Sequence, residues 1–313
     1  MPVDAGAAAE FDHFLITRFS AVFVPDQDPP DEDWLFYRLA FFLDALLPSV
    51  AGQQGAKARW LVFLDDRSSD EFRSAIEELA GDVFEPVWTH EMFLQALPRE
   101  LAERSAAPYL ISTRVDSDDA LAVDFVETVQ AQFDRQERLY VDFARGVQVD
   151  RAGAVYLHDQ PSAAFQSLIE RRAPGRLPYT IFGHPQHTQL RTVGPQLRVR
   201  TPPMWLQIVH GSNIANSIRG PRVSPDVIAQ RFTIALGYDK QRRGIRLLPA
   251  RFRSFGQLGV TWLRNPTLVP WCAEAMIDRM HGTRVRGVTP DPEPAPIRHA
   301  RRLRDRLSKR SGR

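Results

Sequence analysis

The chain has 313 residues, 43% of them hydrophobic, with 24 prolines and a single cysteine, Cys272. That apolar content excludes a disordered chain and suffices for one large α/β domain with appendages. One thiol excludes an intramolecular disulfide and a cysteine-rich zinc or iron–sulfur centre, and it fits a reducing compartment. The formal net charge of +2 assigns no nucleic-acid role by itself.

In chain order, the opening MPVDAGAAAEFDHF carries Asp4 and Glu10 where a secretory leader would be basic. The apolar run that follows it is too short to cross a bilayer, so a cytoplasmic protein with no membrane span is expected. Residues 13–19 (HFLITRF) have strand character, and residues 33–47 place Trp34, Leu35, Leu39, Phe42, Leu43 and Leu46 at helical spacing before Pro48 stops them. Residues 60–66 (WLVFLDD) read as a buried strand. Ser68 and Glu71 then read as a capping box for a helix with Phe72, Ala75, Ile76 and Leu79 on one face, ending at Gly81. A strand at 83–87, a helix at 91–104, a buried strand at 109–115 (YLISTRV) and a helix at 120–133 continue the alternation. Alternation of this kind predicts an α/β fold, a mostly parallel central sheet flanked by helices.

In such sheets ligands bind beyond the carboxyl ends of the strands. Two of those ends are acidic here: Asp65-Asp66 after the second strand, and Asp116-Ser117-Asp118-Asp119 after the later one. The first strand is followed by Arg18-Phe19-Ser20 without glycine, which argues against a dinucleotide-binding turn. Carboxylates one residue apart at a chain turn suit a hard divalent cation, Mn²⁺ or Mg²⁺, which takes one or two carboxylates together with substrate phosphates. Asp118 or Asp119 would equally serve as the cap of a helix starting at Ala120. A cap uses only one of these acids, and three of them around one strand end repel one another unless a positive charge is present.

The segments VFLDDRSSDEF and TRVDSDDAL are similar to the nucleotide-contact and DxD segments of glycosyltransferases with the GT-A fold. FDHFLITRF, TRVDSDDAL and PMWLQIVHGSNIANSIRG, in that order, resemble the rhamnosyltransferase family of bacterial proteins over residues 11–240. The resemblance implies a GT-A-like fold and a metal-dependent transfer of a sugar, rhamnose by the family's name, from a nucleotide-sugar donor to a glycan or lipid-linked acceptor. It also implies that Asp65 or Asp66 binds the base or ribose, that Asp116 binds the ribose or a metal water, and that Asp118 binds the metal. Asp119 stays open between metal ligand and cap, and Arg18 and Arg114 are candidates for the donor phosphates. His210, at the end of the apolar run 205–209, is a candidate metal or diphosphate ligand, as late histidines are in such enzymes, or else a core or turn histidine.

Residues 11–135 are read as the nucleotide-sugar-binding half, 136–285 as the acceptor-side half of the same domain, and 286–313 as a basic tail. A hairpin is expected within 138–158 around Asp150 and Gly153, and a short helix at about 161–170. An inverting transfer needs a general base near the acceptor hydroxyl. Glu170 is the first candidate and Asp159 the second, with exposed surface acids as the alternative for each. His184 and His187 lack further zinc ligands and read as loop or acceptor contacts. The tail, rich in arginine after Pro290, suits a solvated terminus or an anionic membrane surface at the inner face. It has no aromatics to stack on bases, so no nucleic-acid partner is expected. A metal-dependent phosphohydrolase and a non-catalytic carbohydrate-binding relative are the competing functions.

Overall fold

Apolar runs of strand length become the centre of the protein. In the computed structural model, which describes residues 9–184, 193–210, 218, 220–241, 244–264 and 284–286, four runs form the parallel strands β1 (Phe11–Arg18), β2 (Arg59–Leu64), β3 (Glu85–Trp88) and β4 (Tyr109–Arg114). Between them lie α1 (Glu32–Phe41), a π-helical turn (Phe42–Leu46), α2 (Leu47–Ala51), α3 (Asp70–Ala80) and α4 (Phe93–Arg104). Later segments are β5 (Asp119–Leu121), α5 (Phe125–Gln130), β6 (Arg138–Asp142), β7 (Arg145–Asp150), β8 (Val155–Asp159), β9 (Ser167–Arg171), β10 (Gln196–Arg198), β11 (Trp205–Val209), α6 (Asp226–Arg231), α7 (Leu248–Arg264) and β12 (Arg284–Arg286).

Eight strands form one sheet in the order β12-β10-β6-β9-β4-β1-β2-β3, and β5-β11-β7-β8 form a second, smaller one. Four pairings of the large sheet are parallel and three antiparallel, so the expected α/β architecture holds. Both faces are covered. Leu15, Phe42, Trp60, Phe72 and Ile76 pack on one face, while Phe14, Ile16, Phe63, Phe93 and Leu97 pack on the other. Burial on both faces explains why these strands read as unbroken apolar runs. Strands from both expected halves share the large sheet.

Several local expectations are corrected. The cap of α3 is Ser69, whose side chain accepts from Phe72 N, while Ser68 Oγ donates to Asp65 O at 2.7 Å. No helix starts at Ala120: residues 119–121 pair antiparallel with β11, and the helix is only Phe125–Gln130. Among the described residues Asp118 and Asp119 therefore cap no helix. Leu121 is buried in the strand as it would have been in the helix, which is why spacing alone misread it. The segment expected as a short helix near Glu170 is β9, held between β4 and β6 by antiparallel ladders on both sides. The hairpin exists as β7–β8, turning through Gly153 at φ +73°, a conformation glycine adopts without strain. The preceding LYVDF joins the large sheet as β6.

The expectation about apolar length is corrected too. Residues 32–51 form one helical run of 20 residues with mean hydropathy 1.4, enough by length and composition to cross a membrane. Here its face of Leu35, Leu39, Phe42, Ala45 and Leu46 packs into the core beside Phe19 and Trp60. His187, Cys272 and the basic tail lie outside the described residues.

Candidate functional site

Parallel β1, β2 and β4 all point their carboxyl ends at one edge of the large sheet, and the residues just beyond them meet there. Asp116 Oδ1 accepts from Arg18 Nη2 at 2.9 Å, and Asp116 Oδ2 accepts from Arg114 Nη2 at 3.1 Å. Arg38, reaching in from α1, lies 3.2 Å from Asp118 Oδ2 and 3.4 Å from Oδ1, and donates to Ser117 Oγ at 2.5 Å. From the smaller sheet β11 delivers His210, because Gln207 pairs with Asp119 and the chain runs on past it. His210 Nε2 is 2.9 Å from Asp118 Oδ2, the ring stacks on Phe41 at 4.3 Å, and Nδ1 is 3.4 Å from Tyr37 Oη. Gly146 makes room for this arrangement: a Cβ there would stand 2.1 Å from the Trp205 ring at the start of β11.

The acids differ in charge. Burial alone would push the Asp116 carboxyl up, but Arg114 and Arg18 outweigh it and hold the group well below the usual carboxylate range. Asp119 goes the other way. Burial, reinforced by the charges of Asp118 and Asp116, raises it well above that range, and the Ile208 amide that donates to it offsets this only partly. Three guanidiniums, those of Arg18, Arg38 and Arg114, thus stand among three aspartates at this edge. The Nε atoms of all three arginines are buried and have no hydrogen-bond partner among the described residues. An edge with this donor capacity can hold a doubly anionic ligand such as a diphosphate.

Among the described residues no group of three or more His, Cys, Asp or Glu is arranged to hold a metal. Two donors are nonetheless in place. As it stands, His210 Nε2 donates to Asp118 Oδ2 at 2.9 Å and Nδ1 faces the Tyr37 hydroxyl at 3.4 Å; with the ring proton moved to Nδ1, Nε2 and Asp118 would both be available to one cation. Diphosphate oxygens and water would supply the rest, the usual situation for Mg²⁺ and Mn²⁺. The residues fit the ion on that condition, with Arg38 having to release Asp118.

The acids after β2 are unlike each other. Asp65 is fully buried and accepts from Arg67 three times, from N at 2.9 Å, Nε at 3.0 Å and Nη2 at 2.8 Å. Asp66 is the accessible one, its carboxylate 2.9 Å from the exposed His90 ring. The two general-base candidates lie away from this edge. Glu170 stands opposite Leu110 on β4, six residues before Asp116 and so about 20 Å back along the strand. Its buried carboxylate accepts from Tyr179 N at 2.9 Å and Thr180 N at 2.8 Å. Asp159 forms a two-point pair with Arg145 at the end of the small sheet opposite His210. The sequence reading passed over Arg38, although it left a signal: it is the one basic residue in the apolar run 32–51.

A mostly parallel α/β sheet thus carries an aspartate–arginine cluster beyond the carboxyl ends of its strands, the edge at which sheets of this class bind ligands. The family described as "Putative rhamnosyl transferase" matches residues 30–222, more than half of the chain, and the chain belongs to it. Among solved structures the chain is similar to TarS of S. aureus in complex with UDP, at 17% identity over 42% of this chain and 35% of that one, TM-score 0.28. A TarS complex with UDP-GlcNAc matches at 18% identity over 42% and 34%, TM-score 0.26. HddC from Yersinia pseudotuberculosis matches at 10% identity over 64% and 90%, TM-score 0.29. The chain thus spans about a third of the TarS chain, and TM-scores this low carry no argument about ligands. No curated protein matches the chain.

Proposed function

We propose that the protein transfers a sugar, rhamnose by family, from a nucleoside-diphosphate donor to a hydroxyl acceptor, with the donor diphosphate seated against Arg18, Arg38 and Arg114. The observation that carries this is the convergence of these three guanidiniums and His210 on Asp116 and Asp118 at the sheet edge. As the glycosidic bond to the diphosphate breaks, negative charge gathers on the leaving phosphate. Donors fixed in advance around it stabilise the transition state more than the ground state. Asp116 keeps Arg18 and Arg114 in place for that task. Asp118 and His210 would hold Mn²⁺ or Mg²⁺, which would supply further charge neutralisation for the diphosphate. Asp66, the accessible acid after β2, is assigned to the base or ribose.

Calorimetry with UDP, dTDP and GDP in the presence and absence of Mn²⁺ tests the reading. At least one should bind, more tightly with the metal, and Asp118→Asn should weaken the metal-dependent part while leaving the thermal unfolding transition cooperative. Absence of nucleoside-diphosphate binding together with release of phosphate from simple esters would instead make this a phosphohydrolase.

A further inference from the structure

Beside the donor edge, the same face of the large sheet carries a second polar row that the proposed donor chemistry does not use. The register Ser112–Leu168 and Thr113–Ser167 brings Gln166 opposite Arg114, whose amide donates to Gln166 O at 3.0 Å. Val141 pairs with Ser167, which sets Asp142 opposite Gln166, and Asp142 pairs with Arg198 on β10. Residues directly opposite on neighbouring strands project to one face. Arg114, Gln166, Asp142 and Arg198 therefore form a straight row across β4, β9, β6 and β10. With strands about 4.8 Å apart, Asp142 stands two strands, or about 10 Å, from the arginine that holds Asp116.

The row is buried and incompletely bonded. Asp142 is fully buried. Its Oδ2 accepts from Arg198 Nε at 2.9 Å and from Ser162 N at 3.0 Å, while Oδ1 has no partner among the described residues. Gln166 is 1% exposed, and neither end of its carboxamide has a partner there. Gln196, next in the cluster, donates to Ser162 Oγ at 3.4 Å and leaves Oε1 without one. Buried polar groups are almost always satisfied, since each orphan costs about 1–3 kcal/mol. Several together beside a binding edge mark a place where a ligand supplies the missing partners. The backbone is bent to serve Asp142: Ser162 adopts φ +57°, and in that conformation its amide points at Oδ2. A buried ion pair adds little net stability, so what Arg198 supplies is a fixed orientation for the Asp142 carboxylate.

What the row offers is one carboxylate oxygen that accepts and one carboxamide that both donates and accepts, a match for neighbouring hydroxyl groups. We propose that Gln166 and Asp142 form an acceptor subsite for a polyhydroxylated sugar, two strands from the donor diphosphate. The proposal rests on the donor reading above and extends it to the other substrate. Desolvated hydrogen bonds of this kind discriminate strongly against ligands that lack the hydroxyl, so the row would also determine acceptor specificity.

The test uses the full chain with UDP and Mg²⁺ present, and methyl glycosides of glucose, galactose, mannose and rhamnose as probes followed by saturation-transfer NMR. The parent should bind at least one of them. Gln166→Leu, which removes only unbonded polar atoms, should keep or raise the melting temperature, leave UDP affinity within about twofold, and weaken the glycoside roughly tenfold or more. Asp142→Asn should weaken the glycoside likewise at unchanged UDP affinity; should that variant fail to fold, Gln166→Leu decides alone. A parent that binds UDP but no methyl glycoside, or a Gln166→Leu chain that binds the glycoside as tightly as the parent, overturns the subsite. A parent that binds no nucleoside diphosphate removes the donor reading instead, a separate result read in the calorimeter.

Discussion

Arg38 on α1 and Asp118 beyond β4 are 80 residues apart in sequence, yet the guanidinium lies 3.2 Å from one carboxylate oxygen and 3.4 Å from the other. The pair is mostly buried, with side chains 18% and 9% exposed, and Asp118 Oδ2 also lies 2.9 Å from His210 Nε2. On the proposed reading, a cation held by Asp118 and His210 would take over the carboxylate that Arg38 now holds, and Arg38 would then be released towards the diphosphate.

Arg38→Met removes the charge and keeps much of the stem. Losing the guanidinium beside this mostly buried carboxylate should cost about 3 kcal/mol, lowering the melting temperature by several degrees in EDTA. Mn²⁺ alone should then restore most of the loss, whereas the parent should respond to Mn²⁺ mainly when a nucleoside diphosphate is also present. Thermal unfolding under the four combinations of metal and nucleotide checks this. An equal Mn²⁺ response in both chains would mean that Arg38 does not compete with the ion.

Asp65 and Asp66 are adjacent in sequence and should separate by experiment. Asp65 receives three hydrogen bonds from Arg67 with no exposure, so Asp65→Ala is expected to cost about 2–3 kcal/mol of stability. Asp66→Ala removes a carboxylate whose hydrogen-bond partner among the described residues is the exposed His90 ring. Its stability should change by less than about 0.5 kcal/mol, while nucleoside-diphosphate affinity falls roughly tenfold to a hundredfold. Urea unfolding and calorimetry on the two variants give both numbers, and a nucleotide effect confined to Asp65→Ala would reverse the assignment.

How legible the site was depended on what kind of information each residue needs. The buried runs at 60–66 and 109–115 are strands because both faces of the sheet are covered, and that double burial is written into composition alone. Asp116 and Asp118 followed, since the end of a parallel strand is fixed once the strand is. Glu170 and Asp142 illustrate the limit. SLIER reads as the end of a short helix and LYVDF as part of a hairpin, and only pairing with β4, β6 and β10 tells that Glu170 accepts from the Thr180 amide while Asp142 pairs with Arg198 at the carboxyl end of β6. Pairing between segments dozens of residues apart leaves no periodic trace in either one. The helix expected at 120–133 failed for the same reason, because its first residues are claimed by β11.

His13 gives a pH dependence that can be measured without any ligand. It is 4% exposed on β1, Gln130 Nε2 lies 3.2 Å from its Nδ1, and its Nε2 lies 2.8 Å from Thr113 Oγ1. Gln130 Nε2 can only donate, so Nδ1 accepts and the ring proton sits on Nε2, donating to Thr113. A second proton would have to go on Nδ1, against that donor and inside the core; burial lowers the pKa from 6.5 to about 3. Between those values the unfolded chain binds a proton that the folded chain refuses. Stability therefore rises with pH across this window, is fully present above about 6.5, and is lost as pH falls towards 3. The loss should amount to a few kcal/mol by pH 4. His13→Gln, which cannot take up the proton, should lack this part of the acid sensitivity while keeping the part due to carboxylates elsewhere. Urea denaturation of both chains at pH 7, 5.5 and 4 should show the parent's advantage at pH 7 shrinking or inverting by pH 4. Two stability curves that run parallel from pH 7 to pH 4 would mean that His13 takes up its proton without opposing the fold.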